Sequence, residues 1–160
     1  MTNFQTYKDA LELIIGAKQP LFVLLKDVDA DALGSSVALA LAIKSRGVEP
    51  FLISRGDLPH GLKFMIPNDL PLNKIEGKTD LSRFDLVVIG DSGHIERTGF
   101  AAELDAAVKT GVKILNLDHH HVHQKFGTVN LVDERASSTS EIVYELLKFG
   151  DFEITAPIAT

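Results

Sequence analysis

The chain has 160 residues, a formal net charge of −6 and no cysteine. That length suits one domain with its own core. The missing thiols exclude disulfides, zinc–thiolate centres and a cysteine nucleophile, and fit a reducing cytoplasm. The acidic balance gives no field to hold a long nucleic acid. Neither a signal-peptide pattern nor an apolar run near the roughly 20 residues of a membrane span is present. The expectation is a cytoplasmic protein with no membrane partner; nothing in the residues defines an oligomeric state.

In chain order, TYKDALELIIGAK places Tyr7, Leu11, Ile14 and Ile15 on one helical face. Pro20–Leu25 is a continuous apolar run, as in a strand buried on both faces. LGSSVALALAIKSRG predicts an Ala-rich helix with Arg46 in its last turn and Gly47 as its stop. Glu49–Ser54 reads as a second strand. From Arg55 to Asp80, Pro59, Pro67 and Pro71 stand among Gly, Asn and Asp residues, which predicts loop with a short helix near Leu62–Met65.

Asp85–Gly90 is a third strand, FAAELDAAVKTG a helix ending at Gly111, and Val112–Leu117 a fourth strand. SSTSEIVYELLKFG is a helix, with Ser138 and Glu141 at capping-box spacing. In the tail, Thr155 and Pro157 have the pattern of a helix start. Alternating apolar strands and helices mean βαβ units. The fold expected is α/β: a Rossmann-like parallel sheet with helices on both faces.

In such sheets ligands gather at the carboxyl ends of the strands, and the polar residues follow that rule. Asp29 and Asp31 follow the first strand, Asp91 the third, and Asp118, His119 and His120 the fourth. If the segment after the first strand is extended, Asp29 and Asp31 point the same way and repel unless a cation separates them. Gly34, Ser35 and Ser36 then open a helix whose free N–H groups favour an anion such as phosphate. The alternative for both aspartates is turn and N-cap residues. Asp91 has the same alternative. Arg97 is either a bidentate phosphate ligand or a solvated surface cation.

Four of the six histidines fall within five residues, in DHHHVH. Imidazole and carboxylate together suit first-row divalent ions. The run is internal and follows a strand, unlike a tag. One metal cannot use all four, so His121 and His123 are read as supporting or exposed.

DADALGS, a lone Asp after a later strand, and DHH followed by FGTVNLVDERASSTSEIVYELL together resemble the DHH phosphoesterase superfamily. That family includes RecJ-type exonucleases, nano-RNase oligoribonucleases, cyclic-di-AMP phosphodiesterases and family II pyrophosphatases. FGTVNLVD and STSEIVYELL look most like the nano-RNase branch. The resemblance runs from about Pro20 to the last residue. It implies an N-terminal DHH domain over 1–160, incomplete at its C-terminus, with the second, substrate-binding domain absent.

The resemblance also implies two divalent ions, Mn2+ with Mg2+ as the alternative, that activate water against a phosphoester. Carried over residue by residue, Asp29 binds the first metal, Asp31 and His119 the second, and Asp91 bridges both. His120 contacts the substrate phosphate, Asp118 orients a histidine, and Gly34 and Ser35 shape the loop under the site. With Arg97, Ser35 and His120 form the expected substrate contacts, and His120 and Asp118 the expected catalytic pair.

Two departures stand out. The first family motif reads His-x-x-x-Asp-x-Asp, and four residues before Asp29 stands Leu25. The aspartate of the fourth family motif lies beyond the tail. Metal binding is therefore expected to be weakened, and the 160-residue chain to have weak or no catalysis. The expected function is a metal-dependent phosphoesterase of short oligonucleotides or small nucleotide phosphates. The alternative is a non-catalytic relative that binds a nucleotide or a partner.

Overall fold

The computed structural model describes residues 4–160. Its centre is a six-stranded, wholly parallel sheet formed by β1 (Pro20–Val23), β2 (Phe51–Ser54), β3 (Leu72–Lys74), β4 (Leu86–Gly90), β5 (Lys113–Asp118) and β6 (Val129–Val132). The helices are α1 (Phe4–Gly16), α2 (Ala30–Ser45), α3 (Ala101–Lys109) and α4 (Thr139–Phe149), with 3-10 turns at His60–Met65 and Ile95–Thr98.

The strand order is β3-β2-β1-β4-β5-β6. The chain builds outward from β1 to one edge, then returns to β4 and builds outward to the other. This is the doubly wound order, and the reversal leaves a crevice beyond the carboxyl ends of β1 and β4. The Rossmann-like α/β expectation holds.

Both sheet faces are covered, so the inner strands carry apolar residues at every position. On one face Phe22, Leu52, Val88, Leu115, Leu117 and Leu131 pack under α1, α2 and α4. On the other, Leu21, Val23, Ile53, Val87, Ile89 and Ile114 pack under Phe100, Leu104 and Ala107 of α3 and its entry. The alternation along each strand divides the two cores. α2 packs between the sheet and α4, so apolar side chains ring it rather than striping it.

Several boundaries differ from the sequence reading. The strand expected over Pro20–Leu25 ends at Val23, although Leu24 and Leu25 remain buried. α2 begins at Ala30, three residues earlier than expected, and ends as predicted, with Gly47 at φ +84°. Ile15 is 58% exposed, and the buried face of α1 is Ala10 and Ile14. β3 and β6 were not among the four expected strands. The tail forms a turn in which the Ile158 and Ala159 N–H groups donate to the Thr155 carbonyl. Among the described residues, no helix is long and apolar enough to cross a membrane.

Candidate active site

Asp91 is the first residue past β4, and its N–H donates to the Leu117 carbonyl at 2.9 Å. It takes φ +61°, a conformation that Asp adopts more readily than most residues. The left-handed turn aims its carboxylate into the crevice instead of along the sheet face. Behind it, Gly90 leaves room for Ser35, Ser36 and Thr139; a Cβ there would lie 3.0 Å from Ser35 Oγ.

From β5 come Asp118, His119 and His120. Asp118 is fully buried, and its Oδ1 lies 2.7 Å from His120 Nδ1. A buried carboxylate accepts, so His120 carries its proton on Nδ1 and leaves Nε2 free. His119 Nδ1 lies 3.4 Å from the Ala136 carbonyl, which can only accept. The other nitrogen, Nε2, faces Asp91 Oδ1 at 3.5 Å and Asp31 Oδ2 at 3.8 Å. His119 is thus oriented from behind, as metal-ligating histidines are; the His120 nitrogen that faces Asp91 Oδ1, at 3.8 Å, is the same Nδ1 that meets Asp118.

Asp29 and Asp31 do not share an extended segment, so the expected pairing of their carboxylates is corrected. Asp29 is the N-cap of α2, its Oδ1 accepting the Ala32 N–H at 2.9 Å. Asp31 lies in the first turn of the helix. Its carboxylate accepts the Thr139 N–H at 2.7 Å, the Ser140 N–H at 2.9 Å and the Ser140 hydroxyl at 2.6 Å. It therefore caps α4, where free N–H groups and the helix dipole favour an anion. Ser138 accepts the Glu141 N–H as the box predicts, but Glu141 reaches back to Ser137 instead of Ser138.

Asp91, His119 and His120 each bring one ligand atom within 4.8 Å of the others. Asp91 is 2% exposed, and its pKa is pushed up to about 6. Burial is the main cause; the charges of Asp31 and Asp29 add to it, and His120 and the Thr139 hydroxyl oppose it. Negative charge is thus under-compensated here, and a cation would offset it. Two imidazoles and carboxylates form a donor set that fits a first-row divalent ion.

Of the other expected residues, Arg97 is exposed beside the site, and its Nη1 donates to the Asp91 carbonyl at 3.1 Å. Ser35 is buried under Asp91, and its hydroxyl donates to the Asp31 carbonyl at 2.7 Å. That position supports the loop and presents no surface to a substrate. Leu25 is 1% exposed. The sequence reading missed Thr139, whose hydroxyl donates to Asp91 Oδ1 at 3.2 Å. It also missed Gly93, where a Cβ would lie 2.1 Å from the Val122 carbonyl. Only glycine lets the loop after β5 press so close, and Gln124 N–H then donates to the Gly93 carbonyl at 2.8 Å. A Gly two residues after the candidate Asp was the one available signal.

The model of the DHH family N-terminal domain matches residues 22–160. The chain belongs to the DHH family. Among curated DHH relatives, it is 28% identical over 155 residues to the bifunctional oligoribonuclease and PAP phosphatase NrnA of Thermus thermophilus, covering 93% of this chain and 43% of that protein. It is 29% identical over 118 residues to the protein of the same name from Bacillus subtilis, covering 74% of this chain and 34% of the relative. The chain therefore spans less than half the length of these relatives. Among solved structures, an exopolyphosphatase-related protein from Bacteroides fragilis superimposes with a TM-score of 0.76 at 20% identity, over 92% of this chain and 44% of the other. That likeness establishes the shared fold.

Proposed function

We propose that the chain carries the metal site of a phosphoesterase that hydrolyses short oligonucleotides or small nucleotide phosphates. The observation that carries this reading is the convergence of Asp91, His119 and His120 on one point at the doubly wound crevice. The names of its DHH relatives, oligoribonuclease and PAP phosphatase, support that substrate class.

Asp91, His119 and His120 would hold a divalent ion, with Asp31 alongside His119; Mn2+ or Mg2+ fits the family resemblance. Such an ion supplies Lewis acidity and an activated water at neutral pH. The protein's own groups do the rest. Asp118 fixes the His120 ring from behind, so that this imidazole stands beside Asp91 and His119. Arg97, anchored through the Asp91 carbonyl, offers donors to the same anion. Thr139 steadies Asp91 from the other side.

A second ion would rest on Asp29 and Asp91. Asp29 is committed as a cap, and Leu25, where the family motif has a histidine, is buried and offers no donor. We therefore expect weakened binding of that ion and slow turnover. The buried Leu25 also supports the second reading, a relative that binds nucleotide without hydrolysis. The experiment is incubation with a short oligoribonucleotide and with phosphoadenosine phosphate, with and without Mn2+. Mn2+-dependent product favours the phosphoesterase; nucleotide binding without product favours the relative.

A further inference from the structure

Four histidines follow β5, and the site described above uses two. His119 and His120 meet Asp91, whereas His121 and His123 reach Glu134, just past β6. His121 Nδ1 lies 3.1 Å from one carboxylate oxygen, and His123 Nε2 lies 3.7 Å from the other. Two ligand atoms on one tetrahedral zinc ion, each about 2.0–2.2 Å from it, sit about 3.3–3.6 Å apart. The two histidine–carboxylate spacings bracket that range.

The set is chelating in its chain geometry. His121 and His123 come from one loop, and Glu134 from the end of the neighbouring strand. Two imidazoles and one carboxylate suit zinc or another first-row transition ion over Mg2+ or Ca2+. We propose that His121, His123 and Glu134 form a second transition-metal site, separate from Asp91, His119 and His120. Among the described residues, ligand atoms already gathered within 4.8 Å occur only in the first set. The second set therefore closes as the ion binds. His123 is held at 11% exposure, while His121, at 80%, is tied only through its contact with Glu134. The ion would tie the loop after β5 to the end of β6, and so brace the segment that carries His119 and His120.

The test uses the full 160-residue chain and zinc alone, read by calorimetric titration and by the visible spectrum of a Co2+ substitute. In an Asp91→Asn/His119→Ala background, one equivalent of zinc is expected to remain. Adding His121→Ala/His123→Ala is expected to abolish it, and adding Glu134→Gln to weaken it about tenfold or more. No zinc bound in the Asp91→Asn/His119→Ala background, or binding indifferent to His121 and His123, overturns the proposal. In the otherwise unaltered chain, His121→Ala/His123→Ala should lower the zinc stoichiometry by one; an unchanged stoichiometry also overturns it. Hydrolysis is not read, so the outcome is independent of the phosphoesterase proposal.

Discussion

Asp31 Oδ2 accepts the Thr139 N–H at 2.7 Å across 108 residues of sequence. One carboxylate thereby joins the first turn of α2 to the first turn of α4 while facing His119. Asp31 is both a structural cap and a member of the candidate site.

Asp31→Ala removes the acceptor for the Thr139 N–H, the Ser140 N–H and the Ser140 hydroxyl. Hydrogen bonds to a charged group are each worth roughly 1.5–3 kcal/mol, less where water can replace the acceptor. The expected loss in metal-free protein is about 2–3 kcal/mol by urea denaturation. Asp31→Asn keeps one acceptor oxygen and should fall between the two. An unchanged midpoint would show that the cap contributes nothing.

Asp91 titrates near pH 6 in the folded chain, against an ordinary value of 3.8. Between those values the folded state binds more protons than the unfolded state. Stability contributed by this group is therefore full below about pH 4 and lost as pH rises toward 6. A shift of that size corresponds to about 3 kcal/mol. Metal-free Asp91→Asn should be more stable than the parent at pH 7, with the advantage vanishing near pH 4. Mn2+ should stabilise the parent and leave Asp91→Asn unmoved. A less stable Asp91→Asn at pH 7 would contradict the assigned electrostatics.

Leu25→His restores an imidazole four residues before Asp29. Replacing a fully buried Leu with a polar ring should cost about 2–4 kcal/mol without metal. With Mn2+ present, the variant should recover stability and gain about tenfold or more in metal affinity. A thermal melt with and without Mn2+ reads both effects. A variant that is destabilised and indifferent to Mn2+ would place Leu25 outside the reach of the site.

Arg97→Ala removes a guanidinium that bonds the Asp91 carbonyl and faces solvent. If it grips the substrate phosphate, KM should rise about tenfold, the equivalent of about 1.4 kcal/mol. Mn2+ affinity should stay unchanged. Equal loss of metal binding would instead make Arg97 a support for the Asp91 turn.

The inner strands were legible because burial on both faces writes itself as unbroken apolar runs such as LVVIG. The edge strands β3 and β6 were not. LNK carries two polar residues on a short edge, and VNLV follows a polar loop that hides its start. The strand-end acids were legible as candidates because the doubly wound rule places ligands there. Their division of labour was not. Only the three-dimensional contact with Thr139 and Ser140 shows that Asp31 caps a distant helix, and only the Ala32 N–H shows that Asp29 caps its own. The role of Thr139 beside Asp91 was hidden because the two residues are far apart in sequence and meet only in the folded chain.

In the proposed function, Asp91, His119 and His120 together hold a divalent ion for phosphoester chemistry. Its most direct test is equilibrium Mn2+ binding, followed by the loss of the free-ion paramagnetic resonance signal. The chain should take up Mn2+ at a site abolished by His119→Ala and by Asp91→Asn, and unaffected by His121→Ala/His123→Ala. Mn2+ uptake that survives His119→Ala and Asp91→Asn, or no uptake by the unaltered chain, would contradict it.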